Sequence, residues 1–204
     1  MHARVAAFEN ADMSQIDDLI GTIRDRIRAG EELPGAKGFL MLIDRAGGKS
    51  LGITIFESED AIRAAEPIFE RMGDEISEDV RGRRTGVEIY ELALKDIADD
   101  ARAARVSTLE GSAEAIDEGM SFIKEQIVPE ARELTGWRGI IVLVDRTTGR
   151  TKTITLWDGP ESLRASEDRA NELRKQAAQA MDETVVGVDR YEVALHESPV
   201  TASR

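Results

Sequence analysis

Thr153, Thr155 and Trp157 alternate along a strand-like run, so their side chains share one face. A broad aromatic plane beside two hydroxyls suits a planar ligand, stacked on the ring and oriented by hydrogen bonds. The competing role is packing, with Trp157 closing a helix–sheet core. Phe56, at the matching point of an earlier segment, points that way. Thr153 and Trp157 stand where that segment has Gly52 and Phe56, which places an expected pocket in the later half. Arg190 and Tyr191 complete the candidates. Arg190 replaces Ile89 and marks either the wet side of a cleft or an exposed edge. The Tyr191 phenol, matched by Tyr90, is a candidate hydrogen-bond or proton donor.

Other chemistries lack their residues. There are no cysteines, which removes disulfides, thiolate metal sites and thiol nucleophiles. The two histidines, His2 and His196, lie near the ends of the chain and are poorly placed for a nucleophilic triad or a histidine metal site. Asp96, Asp99 and Asp100 cluster, but in a polar stretch that reads as a solvated connector. No phosphate-cradling glycine loop is present. The expectation is therefore no metal and no cofactor. A net charge of −13 disfavours nucleic acid and anionic membranes. No signal peptide and no apolar run of membrane-spanning length is visible, and the cysteine-free composition fits a cytoplasmic location.

The elements that position these residues occur twice. Gly38-Phe-Leu-Met-Leu-Ile-Asp-Arg45 returns as Gly139-Ile-Ile-Val-Leu-Val-Asp-Arg146, and Ile53-Thr-Ile-Phe-Glu57 as Ile154-Thr-Leu-Trp-Asp158. Residues 33–94 align without a gap on 134–195, with 18 identities in 62 positions. Each copy begins with a strand, Ala3–Glu9 in the first. A helix follows, with Asp12 and Gln15 as a capping box and a stripe of Ile16, Leu19, Ile20, Ile23 and Ile27. The second helix repeats the stripe as Ile116, Met120, Ile123 and Ile127. Strands Phe39–Ile43 and Ile140–Val144 are apolar at every position, so both of their faces must be covered. Hairpins at Gly47-Gly48 and Thr148-Gly149 lead to strands Leu51–Phe56 and Lys152–Trp157. Helices over 59–80 and 160–182 and strands Val87–Leu94 and Val188–Leu195 complete the copies. Arg4 with Glu91 and Arg105 with Glu192 are expected cross-strand ion pairs. Arg63 with Glu66 and Arg164 with Glu167 are expected pairs along helices.

The order βαββαβ, twice, predicts two ferredoxin-like modules, 1–95 and 103–197, with a linker at 96–102 and a tail at 198–204. Two helices cover one face of a four-stranded sheet. The sister module is the simplest cover for the other, giving an α+β intramolecular barrel. The turn, the Gly-apolar strand, the Asp-Arg-x-x-Gly hairpin, the Ile-Thr-Leu-Trp-Asp strand and the Tyr-Glu-Val strand resemble the antibiotic-biosynthesis-monooxygenase-like group of the dimeric α+β barrel superfamily. That resemblance spans almost the whole chain. It implies a pseudo-dimer, open to further self-association, that binds a small apolar or aromatic molecule, and a cofactor-independent monooxygenase activity. Trp157 would stack the ligand, Thr153 and Thr155 would orient it, and Tyr191 or Arg190 would bond a carbonyl or phenolate. Relatives of this kind use an Asn four residues before the Trp, where this chain has Thr153. The haem-degrading relatives use a His on the second helix, and 59–80 and 160–182 contain none. A non-catalytic sensing, structural or interaction role is the alternative.

Overall fold

A computed structural model describes residues 1–28 and 33–197, so the expected tail at 198–204 lies outside the described residues. The chain divides into two compact units: Met1–Tyr90 with the segment from Val193 onward, and Glu91–Glu192. Each is an α+β unit.

In the first unit, β1 (His2–Glu9), α1 (Ile16–Arg28), β2 (Ala36–Asp44), β3 (Lys49–Phe56), α2 (Glu59–Glu75) and a short α3 (Glu78–Arg81) lead into β4 (Arg83–Ile97). β3 pairs antiparallel with both β1 and β2, Ile53 lying opposite Val5 and Leu40. Thr85 of β4 donates to the Ala7 carbonyl. The α1 stripe packs Ile16, Leu19 and Ile20 on Met41, Ile43 and Leu195. Ile62 and Ala65 of α2 pack on Phe56. On the opposite face of the strands, Val5, Leu40, Leu42 and Ile53 are buried too. Ser58 caps α2 through its hydroxyl, which accepts from Ala61 N–H. Before α1, the expected capping box is an Asx turn instead. Asp12 Oδ1 takes the N–H of Ser14, while Gln15 Nε2 donates to Oδ2.

The second unit repeats the order with β5 (Ala103–Gly111), α4 (Ile116–Phe122), a π-helical turn (Ile123–Ile127), α5 (Val128–Arg132), β6 (Trp137–Asp145), β7 (Arg150–Trp157), α6 (Pro160–Ala165), α7 (Glu167–Ala180) and β8 (Glu183–Glu197). Its strand order is β8-β5-β7-β6-β4. Ile116, Met120, Ile123 and Ile127 are all buried against β6. Ile127 to Leu134 is one residue longer than Ile27 to Leu33, and the π turn is the usual way a helix absorbs one extra residue. Asp145 tightens the β6–β7 hairpin by accepting from Thr147 and Thr148 N–H, and Gly149 supplies a φ of 71°.

Three expectations change. β4 and β8 are 15 residues each, longer than Val87–Leu94 and Val188–Leu195. β4 pairs through Ile97 with Gly139, so the expected 96–102 connector begins as strand and Asp96 lies opposite Ile140. Residues 83–86 and 183–184 are polar or glycine, with no apolar alternation to extend the strands on paper. The single helix expected over 160–182 breaks at Ser166, whose hydroxyl donates to the Leu163 carbonyl. The ion pairs are also rearranged. Glu91 pairs with Arg146, Arg63 with Glu59 and Asp60, and Glu66 and Glu167 turn to the sheet arginines Arg4 and Arg105. Glu192 lies opposite Ala103 in the ladder, and Arg164 donates to the Pro160 carbonyl.

Candidate functional site

A cavity lies in the first unit. It is a cleft of about 920 Å³ between the helices and the sheet. Alternation along three strands builds its floor: Arg4, Ala6 and Phe8 from β1, Phe39 and Met41 from β2, and Ser50, Gly52 and Thr54 from β3. Phe69, Met72 and Gly73 of α2 and Leu19, Ile23 and Ile27 of α1 form the other wall. Ser50 and Thr54 are buried, and neither hydroxyl makes a hydrogen bond among the described residues. Arg4 is clamped by Glu66 through two bonds of 2.9 and 2.8 Å and lies 4.1 Å over the Phe69 ring. That hydrogen bonding holds the Glu66 carboxyl below the usual glutamate range. The cleft thus offers aromatic and aliphatic walls, two unclaimed hydroxyls and several held cations, Arg4 on Glu66, Arg26 on Glu75 and Arg81 on backbone carbonyls. Its volume and lining suit a small, largely apolar molecule with a few polar groups.

The second unit is filled where the first is open, around the expected pocket residues Trp157 and Thr153. Only about 70 Å³ remains there. At intervals of 101 residues, Trp137 stands for Ala36, Thr153 for Gly52 and Arg174 for Gly73. Each exchange puts side chain into the space that the first unit leaves empty. Trp157 is 1 % exposed, packed with Ala103 and Leu163 and edge-on to Trp137 at 5.6 Å. Its indole N–H donates to Thr155 Oγ1 at 3.2 Å. Packing, the competing role, is what the geometry gives it.

Trp157, Thr153 and Thr155 do meet, around the small residual cavity. Arg190 and Tyr191 do not join them. Arg190 is exposed and bound to Glu167, 2.7 Å from Nη2 to Oε1, and Tyr191 is buried opposite Ala104. Arg105, unmarked as a site residue by sequence, is buried beneath Trp157 and donates to the Leu163 carbonyl at 2.7 Å, an acceptor released by the helix break. Glu183 lines the same cavity, and burial pushes its carboxyl up to about 7. Among the described residues no group of three His, Asp or Glu side chains could hold a metal ion. Among the described residues no helix is long and apolar enough to cross a membrane.

No family model matches the chain. The uncharacterized protein Rv2558 of Mycobacterium tuberculosis is 32 % identical over 204 residues, covering 96 % of this chain and 84 % of that protein. Rv2557 of the same organism is 25 % identical over 186 residues, 88 % of this chain and 82 % of its own length. Among solved structures, an anthrone oxidase-like protein matches with a TM-score of 0.68 at 15 % identity, over 98 % of this chain and 93 % of that one. A ferredoxin-fold protein of Listeria monocytogenes, related to antibiotic biosynthesis monooxygenases, matches with a TM-score of 0.52 at 9 % identity, over 94 % of each chain. At such identities the likeness to solved structures is one of fold.

Proposed function

Because this chain belongs to the family of Rv2558 and folds like monooxygenase-like ferredoxin-fold proteins, we propose that it is a ligand-binding protein whose first unit takes a small apolar or aromatic molecule. The carrying observation is the 920 Å³ cleft, with Phe8, Phe39 and Phe69 around the unclaimed hydroxyls of Ser50 and Thr54. The aromatic rings would stack a planar body, and the hydroxyls would set its orientation. Titration with the fluorescent probe N-phenyl-1-naphthylamine tests this. We expect saturable, one-site binding that falls at least tenfold when Gly52→Thr and Gly73→Arg copy the second unit. Absence of saturable binding, or binding indifferent to both changes, overturns it.

The finer architecture is part of the same proposal. The two sequence copies, 1–95 and 103–197, descend from one duplicated module and close as a pseudo-dimeric α+β barrel in the cytoplasm. The aligned repeat supports the duplication. Burial of Val5, Leu40, Leu42 and Ile53 on one sheet, and of Val106, Ile141, Leu143 and Ile154 on the other, supports mutual covering.

A second reading is cofactor-independent oxidation of a bound phenol, with O₂ placing one oxygen in the product and the other in water. Arg4, which lines the cleft near Ser50 and Thr54, favours it as a nearby positive charge, provided a substrate anion displaces part of the Glu66 clamp. Oxygen uptake with anthrone, compared between wild type and Arg4→Met, separates the readings. Uptake abolished by the substitution supports oxidation, and binding without uptake leaves the non-catalytic role.

A further inference from the structure

Arg4 and Arg105 stand 101 residues apart at equivalent points of β1 and β5, each served by a helix glutamate, Glu66 or Glu167. Glu66 gives both of its oxygens to Arg4. Glu167 is divided. Its Oε1 lies 2.7 Å from Arg190 Nη2, and its Oε2 accepts from Arg190 Nε at 3.2 Å and from Arg105 Nη2 at 3.1 Å. Arg190 stands where the first unit has Ile89, and there both Glu66 oxygens stay on Arg4.

The consequence falls on Arg105. Its Nη2 serves the Leu163 carbonyl, Ser166 Oγ and Glu167, but Nε and Nη1 have no partner, and the side chain is 1 % exposed. Buried guanidinium donors left unmade are rare and costly. A second guanidinium lines the same cavity: Arg174 donates Nε to Ser107 Oγ at 2.9 Å and Nη1 to Asn171 Oδ1 at 2.6 Å. Burial first, and repulsion from neighbouring arginines after it, lowers both Arg105 and Arg174 from the ordinary arginine range. Arg105 and Arg190 therefore share one carboxylate, while the bonds of Arg174 go to neutral side chains. Glu183 also lines the cavity, but its one described bond is from Thr151 and burial favours its neutral form.

We propose that the second-unit cavity is a binding site for a small monovalent anion, such as chloride, nitrate or formate. Arg105 Nε and Nη1 would grip it, Arg174 would balance its charge, and the hydroxyls of Ser107, Thr153 and Thr155 would complete its shell. The cavity of about 70 Å³ admits only a few heavy atoms. The first unit has no equivalent: Ala6, Gly52 and Gly73 replace Ser107, Thr153 and Arg174, and Glu66 already fills the role of the anion. The site is independent of the first-unit cleft.

Two measurements test it. Crystals grown in sodium bromide should show an anomalous peak within hydrogen-bonding distance of Arg105, and full-occupancy water alone at that place overturns the proposal. Thermal denaturation at constant ionic strength should give a saturable rise in Tm when nitrate replaces gluconate, an anion too large for the cavity. The rise should shrink at least fivefold in Arg174→Met. It should also shrink in Arg190→Gln, where Glu167 is released to clamp Arg105 as Glu66 clamps Arg4. Equal Tm in the two salts, or a rise unchanged in both variants, overturns the site. A bromide peak without saturable stabilisation is an adventitious ion only and overturns it equally.

Discussion

Arg4 and Glu66 form a two-bond clamp whose halves live in different surroundings: the arginine side chain is 4 % exposed and the glutamate 39 %. Removing each half should cost differently. Glu66→Gln leaves a cation in the core without its counter-charge and should lower stability by about 2–4 kcal/mol. Arg4→Met keeps an apolar stem on Phe69 and returns Glu66 to water, so its cost should stay within about 1 kcal/mol. Urea denaturation at neutral pH measures both, and equal losses would contradict the asymmetry.

Gly73 sits in the last turns of α2 with open space around the place where a Cβ would stand, and a Cβ on Gly52 would meet only Phe39, at 3.8 Å. Neither position needs the missing side chain for backbone reasons. Gly73→Ala should raise stability by about 0.5–1 kcal/mol through helix propensity. Gly52→Thr should be tolerated within about 1 kcal/mol while narrowing the cleft. Denaturation midpoints read the first effect, and probe titration reads the second.

Trp157 is held by Trp137, Leu163 and Thr155 rather than facing an open cleft. Trp157→Phe should cost about 1–3 kcal/mol by leaving a void and an unmatched Thr155 hydroxyl. Probe affinity in the first unit should not change. A neutral stability effect together with lost binding would reinstate Trp157 as a ligand platform.

Glu183 titrates near 7 when folded, against an ordinary value of 4.5, and burial is the main cause. With the folded value raised, the contribution is fully present below about 4.5 and is lost as pH climbs through 7, because the unfolded carboxyl ionises first. Glu183→Gln should therefore match the wild type near pH 4.5 and exceed it at pH 8 by on the order of 1–2 kcal/mol, the half-exposed carboxyl keeping part of its hydration. Stability measured across that range for both proteins checks the sign. A variant gap that narrows with rising pH would contradict it.

Much of the fold was legible because it is written in apolar side chains. The unbroken runs Leu40–Ile43 and Ile140–Val144 are buried, and the stripe from Ile116 to Ile127 lies under β6. The strand ends at Arg83–Gly86 were not legible, since exposed polar residues join a ladder through their backbones without leaving a pattern. Nor was the break at Ser166, which depends on a hydroxyl and on Arg105 reaching the Leu163 carbonyl from a distant strand. The first-unit cleft was not legible for a related reason. A large aromatic draws attention as a ligand platform, yet a cavity forms where side chains are small. Gly52, Gly73 and Ala36 set against Thr153, Arg174 and Trp137 held that signal, visible only when the copies are read as differences in volume. Arg190 in place of Ile89 was noticed, but its effect on Glu167 needed coordinates.

β4 and β8 each give their first residues to one unit and their last to the other: Glu91–Ile97 pair with β6, while Leu195 packs on Met41 and Ile43. Neither half of the polypeptide can therefore complete its own sheet. A fragment ending at Ala98 would carry six orphaned ladder residues between Glu91 and Ile97, and lack the segment beside β2. Severed fragments should accordingly regain structure by complementation rather than alone.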